Sequence, residues 1–170
     1  MPTAKIIYEI SDKNSYFCPN FEMMEEAIDV LKLIPQQPPF VMIDRLLHFS
    51  VTKVSAGLKV SSGNIFVDNG VLTEAGIIES IAQTCALRMG YIGVFLHHME
   101  DAGIKIGFIG AINNLVIEKC PRVNDKIVIT VTAVNEVLNF TFIDAQVTCE
   151  GAIVASCSMK ISLSEINSQA

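Results

Sequence analysis

GVLTEAGIIESIAQTCALRMGY, Gly70 to Tyr91, is the stretch on which the fold turns. Thr73 is a natural N-cap, and Glu74 suits the positive first turn of a helix. Apolar residues then lie all round the helix, which is expected of one covered by protein on most sides. The pattern can run to about His98, although Gly90 and Gly93 weaken its last turns. Between Ala75 and Tyr91 the only charges are Glu79 and Arg88. Arg88 lies nine residues on, about 180° round the helix by the 3.6-residue period, so it is badly placed to neutralise Glu79. Gln83 is one turn on and can hydrogen-bond to it. An unpaired buried carboxylate has a raised pKa, which suits proton transfer, and burying it for structure alone is costly. Glu79 therefore reads as a general acid or base, or as a group that orients water. The alternative is an acid that reaches solvent or bonds a backbone group.

The segments on either side are strands. FVMIDRLLHFS (40–50) and VTKVSAGLKVSS (51–62) precede the helix and are rich in branched residues. After it the pattern changes to period two: KIGFIGAINNLVIEK (105–119) is a strand or strand pair, PRVND (121–125) a turn, and KIVITVTAV (126–134) a strand. NFTFIDAQVTC (139–149) and AIVASCSMKIS (152–162) form a hairpin. A three-residue loop, Cys149-Glu150-Gly151, puts Gly151 at the left-handed position. It pairs Val147 with Ile153, Ala145 with Ala155 and Ile143 with Cys157, and leaves Asp144, Gln146, Ser156 and Ser158 on the other face. A two-residue turn at Glu150-Gly151 would mix the faces. Upstream, KIIYEI (5–10) suggests an edge strand. Asn20 can cap a helix over FEMMEEAIDVLKLI (21–34), with Met24, Ile28 and Leu31 on one stripe, until Pro35 stops it and QQPPF runs extended. The order of elements is met by an α+β fold in which an antiparallel sheet curves around one long central helix.

Composition narrows the function. Hydrophobic residues make up 51% of 170 and charged ones 18%, enough apolar material for a sizeable core. A net charge of −6 argues against nucleic acid and against anionic membrane surfaces. No apolar run reaches the roughly 18 residues of a membrane span, and the start lacks a secretion signal. The five cysteines form no CxxC pair, so the expectation is a cytoplasmic protein with reduced, mostly core thiols and no metal site.

Three segments resemble one family in the right order. IPQQPPFVMIDRL is similar to the lead-in of the hotdog-fold 3-hydroxyacyl-[acyl-carrier-protein] dehydratases. GIIESIAQTCAL resembles their central-helix motif, in which a catalytic Glu is followed by a small residue, an apolar residue, Ala and Gln. FIGAINNLVIEKCPRVNDKIVI is similar to the strand, Pro turn and strand that follow. The resemblance runs from about Ile34 to Ile161 and, within the group, is to the divergent dehydratase-like proteins of aryl-polyene-type fatty acid or polyketide clusters. It implies one hotdog domain over residues 1–170, with a core at 34–161 and residues 1–33 as an extension with a short helix. It also implies a dimer or higher even oligomer whose sheets join edge to edge. The substrate would be an acyl chain on the phosphopantetheine of an acyl carrier protein or coenzyme A, with no other cofactor.

In these dehydratases a His from one chain and the helix Glu from the other remove water from a 3-hydroxyacyl thioester. The family's Gly-His-Phe-Pro segment is replaced here by GNIFVDNGVLTEAG. Counting back from Glu79, the His position falls on Ile65, between Asn64 and Phe66, and no His lies between His48 and His97. Asn64 or Asp68 is then a substitute that positions water or acts as base, unless each is only a turn former. The helix-start N–H groups near Ala75 and Gly76 suit a thioester carbonyl, and Ile65, Phe66 and Gln83 would line the substrate. The alternatives are a non-catalytic subunit forming a heterodimer with an active dehydratase, or a hotdog thioesterase. His48, by strand parity, shares a face with Met42, Asp44 and Leu46 and reads as a surface or packing residue. Asp44 and Arg45 read as an ion pair. His97 and His98, with Glu100 and Asp101, match no strong metal motif.

Overall fold

The computed structural model describes residues 28–96 and 106–164. The expected KIIYEI strand, the Asn20 cap and most of its helix, and the His97–Asp101 group lie outside them. What is described of the first helix is a short 3-10 turn, Val30–Lys32, capped by Asp29, whose carboxylate accepts the Leu31 N–H at 3.1 Å.

The strands are β1 (Arg45–Phe49), β2 (Lys53–Lys59), β3 (Val67–Asp68), β4 (Val71–Leu72), β5 (Ile106–Ile117), β6 (Lys126–Val137), β7 (Phe140–Cys149) and β8 (Ala152–Ser164). The one long helix among the described residues, α1, is Glu74–Tyr91 and runs on as a π-helical segment, Ile92–Leu96. Six strands form one antiparallel sheet in the order β1-β2-β6-β7-β8-β5, while β3 and β4 make a separate small hairpin. The inward residues of β6, Ile127, Ile129 and Val131, are buried under α1, where Ile77 and Ile81 are fully buried. Each such side chain contributes about 1.5–3 kcal/mol by leaving water.

Thr73 caps α1 as expected, its hydroxyl accepting the Gly76 N–H. The polar residues on the buried face satisfy themselves locally: Ser80 Oγ donates to the Ile77 carbonyl and Thr84 Oγ1 to the Ser80 carbonyl, both at 2.7 Å. Gly90, expected to weaken the helix, has a packing reason instead. A Cβ there would lie 1.9 Å from the Leu33 carbonyl oxygen, so the chain leading to Pro35 is pressed directly on the helix backbone.

Several expectations are corrected. The strand expected from Phe40 begins at Arg45, because the backbone of Phe40 and Met42 bonds to α1 instead of to a neighbouring strand. Of the two readings of KIGFIGAINNLVIEK the single strand holds, with irregularities after Ile109 and Asn113. In the last hairpin the turn is the two-residue one, Glu150-Gly151, with φ of 51° and 81°, the left-handed geometry of a tight hairpin. The expected mixing of faces does not arise, since β8 carries a bulge between the Val147–Ala155 and Thr148–Ile153 pairs. The bulge resets the register, so that Val147 pairs with Ala155, Ala145 with Cys157 and Ile143 with Met159. The buried face keeps its strand-β7 members, each facing a partner two residues further along β8 than expected, and Ile153 is exposed. A register shift between Leu46 and His48 in β1 likewise breaks the parity argument for His48, which is exposed opposite Ser55.

Candidate functional site

Gln83 organises the site. It is fully buried, and its amide is used at both ends. Oε1 accepts the Met42 N–H at 2.6 Å, while Nε2 donates to the Phe40 carbonyl at 2.6 Å and to Glu79 Oε1 at 2.8 Å. One side chain thus fixes the lead-in segment against α1 and holds the carboxylate one turn before it in the helix. The hydrogen bond from Gln83 is the one the helical spacing led us to expect, while the expectation of a fully buried acid is corrected, since Glu79 is only partly buried.

The carboxylate borders a cavity of about 300 Å³. One wall is the α1 stripe Glu79, Ala82, Ala86 and Met89, and the opposite wall comes from β6, β7 and β8 through Val131, Ile143 and Ile161. Pro35 and Gln36 close one side, and Gly107–Ile109 of β5 form another. Among the described residues β5 is the last strand of the sheet, and there Phe108 is 57% and Ile109 40% exposed. The small side chains of Ala82 and Ala86 leave the space open. Its lining is mostly apolar, and an acid held at such a lining has few competing polar contacts.

Arg88 borders the same cavity although its charge is used elsewhere. Nε donates to the Val51 carbonyl at 2.7 Å and Nη1 pairs with Glu136 at 2.9 Å. As the helical period required, it does not pair with Glu79. Cys85 is buried beside the cavity, and burial pushes its thiol up to about 12; the same cause raises Cys157 to about 11. Neither thiol is an ionised nucleophile near neutral pH.

The other residues singled out in the sequence are not brought to this cavity. Asn64 is a turn former: its carbonyl accepts the Phe66 N–H at 2.8 Å and its amide nitrogen faces Met42 Sδ at 3.1 Å. Asp68 and Ile65 are exposed, and Asp68 precedes the tight turn Asn69-Gly70 of the small hairpin. Ala75 is exposed, and Gly76 sits where a Cβ would meet Leu72 Cδ1 at 2.6 Å and Phe66 Cβ at 2.8 Å, a packing role. Asp44 and Arg45 form the expected ion pair at 2.5 Å, and Asp44 also accepts the Lys59 N–H. Among the described residues no three metal-binding side chains converge. Reading the sequence missed Gln36 and the β5 edge; Gln36 is one Gln in a Pro-rich passage, with no pattern to mark it.

Among the described residues, a six-stranded antiparallel sheet packed on one long helix makes a hotdog fold. The comparisons agree. The ApeP-like family model, described as ApeP dehydratase, matches residues 28–169, and the chain belongs to that family. It is 25% identical over 145 residues to a 3-hydroxyacyl-[acyl-carrier-protein] dehydratase FabZ of Desulfotalea psychrophila, covering 82% of this chain and 93% of the relative. It is 28% identical over 149 residues to the FabZ of Staphylococcus haemolyticus, covering 82% and 98%. Among solved structures, the dehydratase heterocomplex ApeI:P from Xenorhabdus doucetiae matches with a TM-score of 0.73 at 16% identity, over 82% of this chain and 93% of that one. A hypothetical thioesterase from Streptococcus pneumoniae, solved with coenzyme A, matches at 0.56 and 13% identity, over 71% and 84%. No helix among the described residues is long and apolar enough to cross a membrane.

Proposed function

We propose that this chain is a 3-hydroxyacyl thioester dehydratase subunit, acting on chains carried by acyl carrier protein, with Glu79 as its general acid and base. The observation that carries the reading is the Gln83 clamp, which holds one oxygen of the Glu79 carboxylate beside an apolar cavity. In the reaction a base removes the C2 proton, the electron pair forms the C2–C3 double bond, and the C3–O bond breaks. The leaving hydroxide takes up a proton and departs as water, so the site ends in its starting protonation state. Glu79 Oε1 is engaged by Gln83, and among the described residues no hydrogen bond is made to Oε2, which is the oxygen free to meet the substrate.

A second reading follows from the β5 edge. The cavity wall at Gly107–Ile109 belongs to a strand that has no neighbour on its outer side among the described residues, and Phe108, Ile109, Leu115 and Val116 of that strand are exposed. A second chain on that edge would complete the wall and supply the acid in place of the missing His. The likeness to one chain of a dehydratase heterocomplex supports a heterodimer with an active homologue.

The test is turnover of a 3-hydroxyacyl-carrier substrate by this chain alone and with a FabZ-type partner, following both enoyl absorbance and free thiol. Loss of water that falls with Glu79→Gln supports the first reading. Activity that needs the partner and ignores Glu79→Gln supports the non-catalytic subunit. Release of thiol without enoyl product supports a thioesterase and overturns both.

A further inference from the structure

One stretch of the cavity wall is made by an ion pair. Arg88 borders the cavity and its side chain is only 5% exposed, yet its Nη1 pairs at 2.9 Å with Glu136, whose side chain is 54% exposed. The same Nη1 lies 3.8 Å from Sδ of Met89, another lining residue. The guanidinium therefore sits between a residue that lines the cavity and a carboxylate that meets water. The strands repeat the arrangement. Glu136 on β6 is paired in register with Thr141 on β7, which is buried and borders the cavity. Cross-strand neighbours share a face, so lining and solvent are one residue apart here.

An arginine at that place needs a reason. Taking a guanidinium out of water is costly, and an apolar side chain of similar length closes an apolar wall without that cost. What the arginine adds is a wall that is tied in place rather than packed. It has two ties, Glu136 and the Val51 carbonyl, which accepts from Nε at 2.7 Å. A pair with one half-exposed member competes with water and is weakened by salt. Once loosened, an arginine can carry its head out to water along its aliphatic stem. Arg88 is nine residues beyond Glu79, about 13 Å along the helix axis. It therefore meets the part of an acyl chain remote from the reacting carbons and stands too far off to share in proton transfer.

We infer that Arg88, tied by Glu136, is the specificity-determining residue that sets the length of chain the cavity holds, and that longer chains bind by displacing the pair toward solvent. The inference rests on the acyl-cavity reading above and adds the substrate class. Chains that end short of Arg88 bind with the pair closed. Longer chains bind against the cost of opening it, and that cost falls as the pair weakens.

The experiment is calorimetric binding of straight-chain acyl-pantetheine amides of increasing length, which cannot be hydrolysed or dehydrated. The full-length chain is used, with its partner where one assembles. In wild type at low salt, affinity is expected to climb about fourfold with each added methylene and then to stop climbing at one length. Glu136→Ala is expected to move that break to longer chains. Ligands beyond the wild-type break then bind about tenfold or more tighter than to wild type, while shorter ones bind as before. Raising the salt on wild type is expected to move the break the same way, a reading that needs no variant to fold. Arg88→Met keeps a side chain in the wall without the tie, so its break is expected to stay and to ignore salt. A break that neither salt nor Glu136→Ala moves overturns the inference and leaves the acyl cavity standing. A salt response that survives Arg88→Met overturns it as well. A lower melting temperature of Glu136→Ala with an unmoved break assigns the pair a structural role and overturns it too. Affinity that rises with length without any break places no wall at Arg88, with the same result. Binding of no ligand to wild type overturns the acyl-cavity reading along with it.

Discussion

The two faces of α1 differ sharply. On the sheet side, Ile77, Ile81, Thr84 and Leu87 are fully buried and the polar members bond to the helix's own carbonyls. On another face Glu79, Ala82, Ala86 and Met89 border the cavity. One face fills its space and the other holds it open. The lesson is that the cavity lies where small residues decline to fill a core that bulky ones fill elsewhere. Gln83 stands between the two faces, and it serves both: it secures the lead-in segment and aims the acid.

That contrast can be attacked from the filled side first. Gly90→Ala puts a methyl group 1.9 Å from the Leu33 carbonyl oxygen, which must move. The loss is expected to be about 3 kcal/mol, at the upper end for overpacking, read as a lower urea midpoint. Gln83→Met leaves the Phe40 carbonyl and the Met42 N–H without their partner. Roughly 2–4 kcal/mol of stability should go with them, and the Glu79 carboxylate should lose its orientation. If Gln83→Met unfolds at the wild-type midpoint, the clamp is not what holds the lead-in segment.

The open side answers to a different substitution. Ala86→Leu fills the cavity from the helix. It is expected to weaken acyl-pantetheine binding by about tenfold or more, since no space remains for the chain, while the urea midpoint changes by less than about 1 kcal/mol in equivalent stability. Equal damage to both quantities would mean that this face is ordinary core.

The smallest effect concerns the thiols. Cys85 and Cys157 have folded-state pKa values raised by burial to about 12 and about 11. Raised values favour the neutral thiol, so the stability they contribute is complete below the ordinary thiol pKa and is lost as pH climbs from there through about 11–12. Cys85→Val is expected to flatten that alkaline fall in a pH series of urea midpoints. At pH 8 both buried thiols should resist alkylation while the partly exposed Cys120 and Cys149 react first.

Much of the fold was legible because it rests on local chemistry. Thr73 as cap, the apolar circumference of α1 and the alternation in β6, β7 and β8 follow from side-chain pattern alone. Glu79 stood out for the same reason, as an acid on a helix otherwise read as buried. What escaped depends on contacts distant in sequence or on irregular backbone. The bulge in β8 that resets the hairpin leaves no mark in the alternation, so a two-residue turn looked incompatible with the buried face. Gly90 read as a weak helical residue because its neighbour, Leu33, is far away in the chain. Asn64 and Asp68 were weighed by counting back from Glu79, and the count did not show that the small β3–β4 hairpin carries them away from the cavity. The lead-in strand looked like sheet from Phe40 onward, yet its first hydrogen bonds go to Gln83.

The central claim is that the Gln83-held carboxylate of Glu79 moves the proton in dehydration at this cavity, and the rate of enoyl formation tests it most directly. Wild type and Glu79→Gln, each assembled with the same partner chain and given the same 3-hydroxyacyl-carrier substrate, are expected to differ by about 10²–10⁴ in rate, the range for loss of a general acid–base group. Equal rates, with both proteins folded and binding substrate alike, would contradict the account.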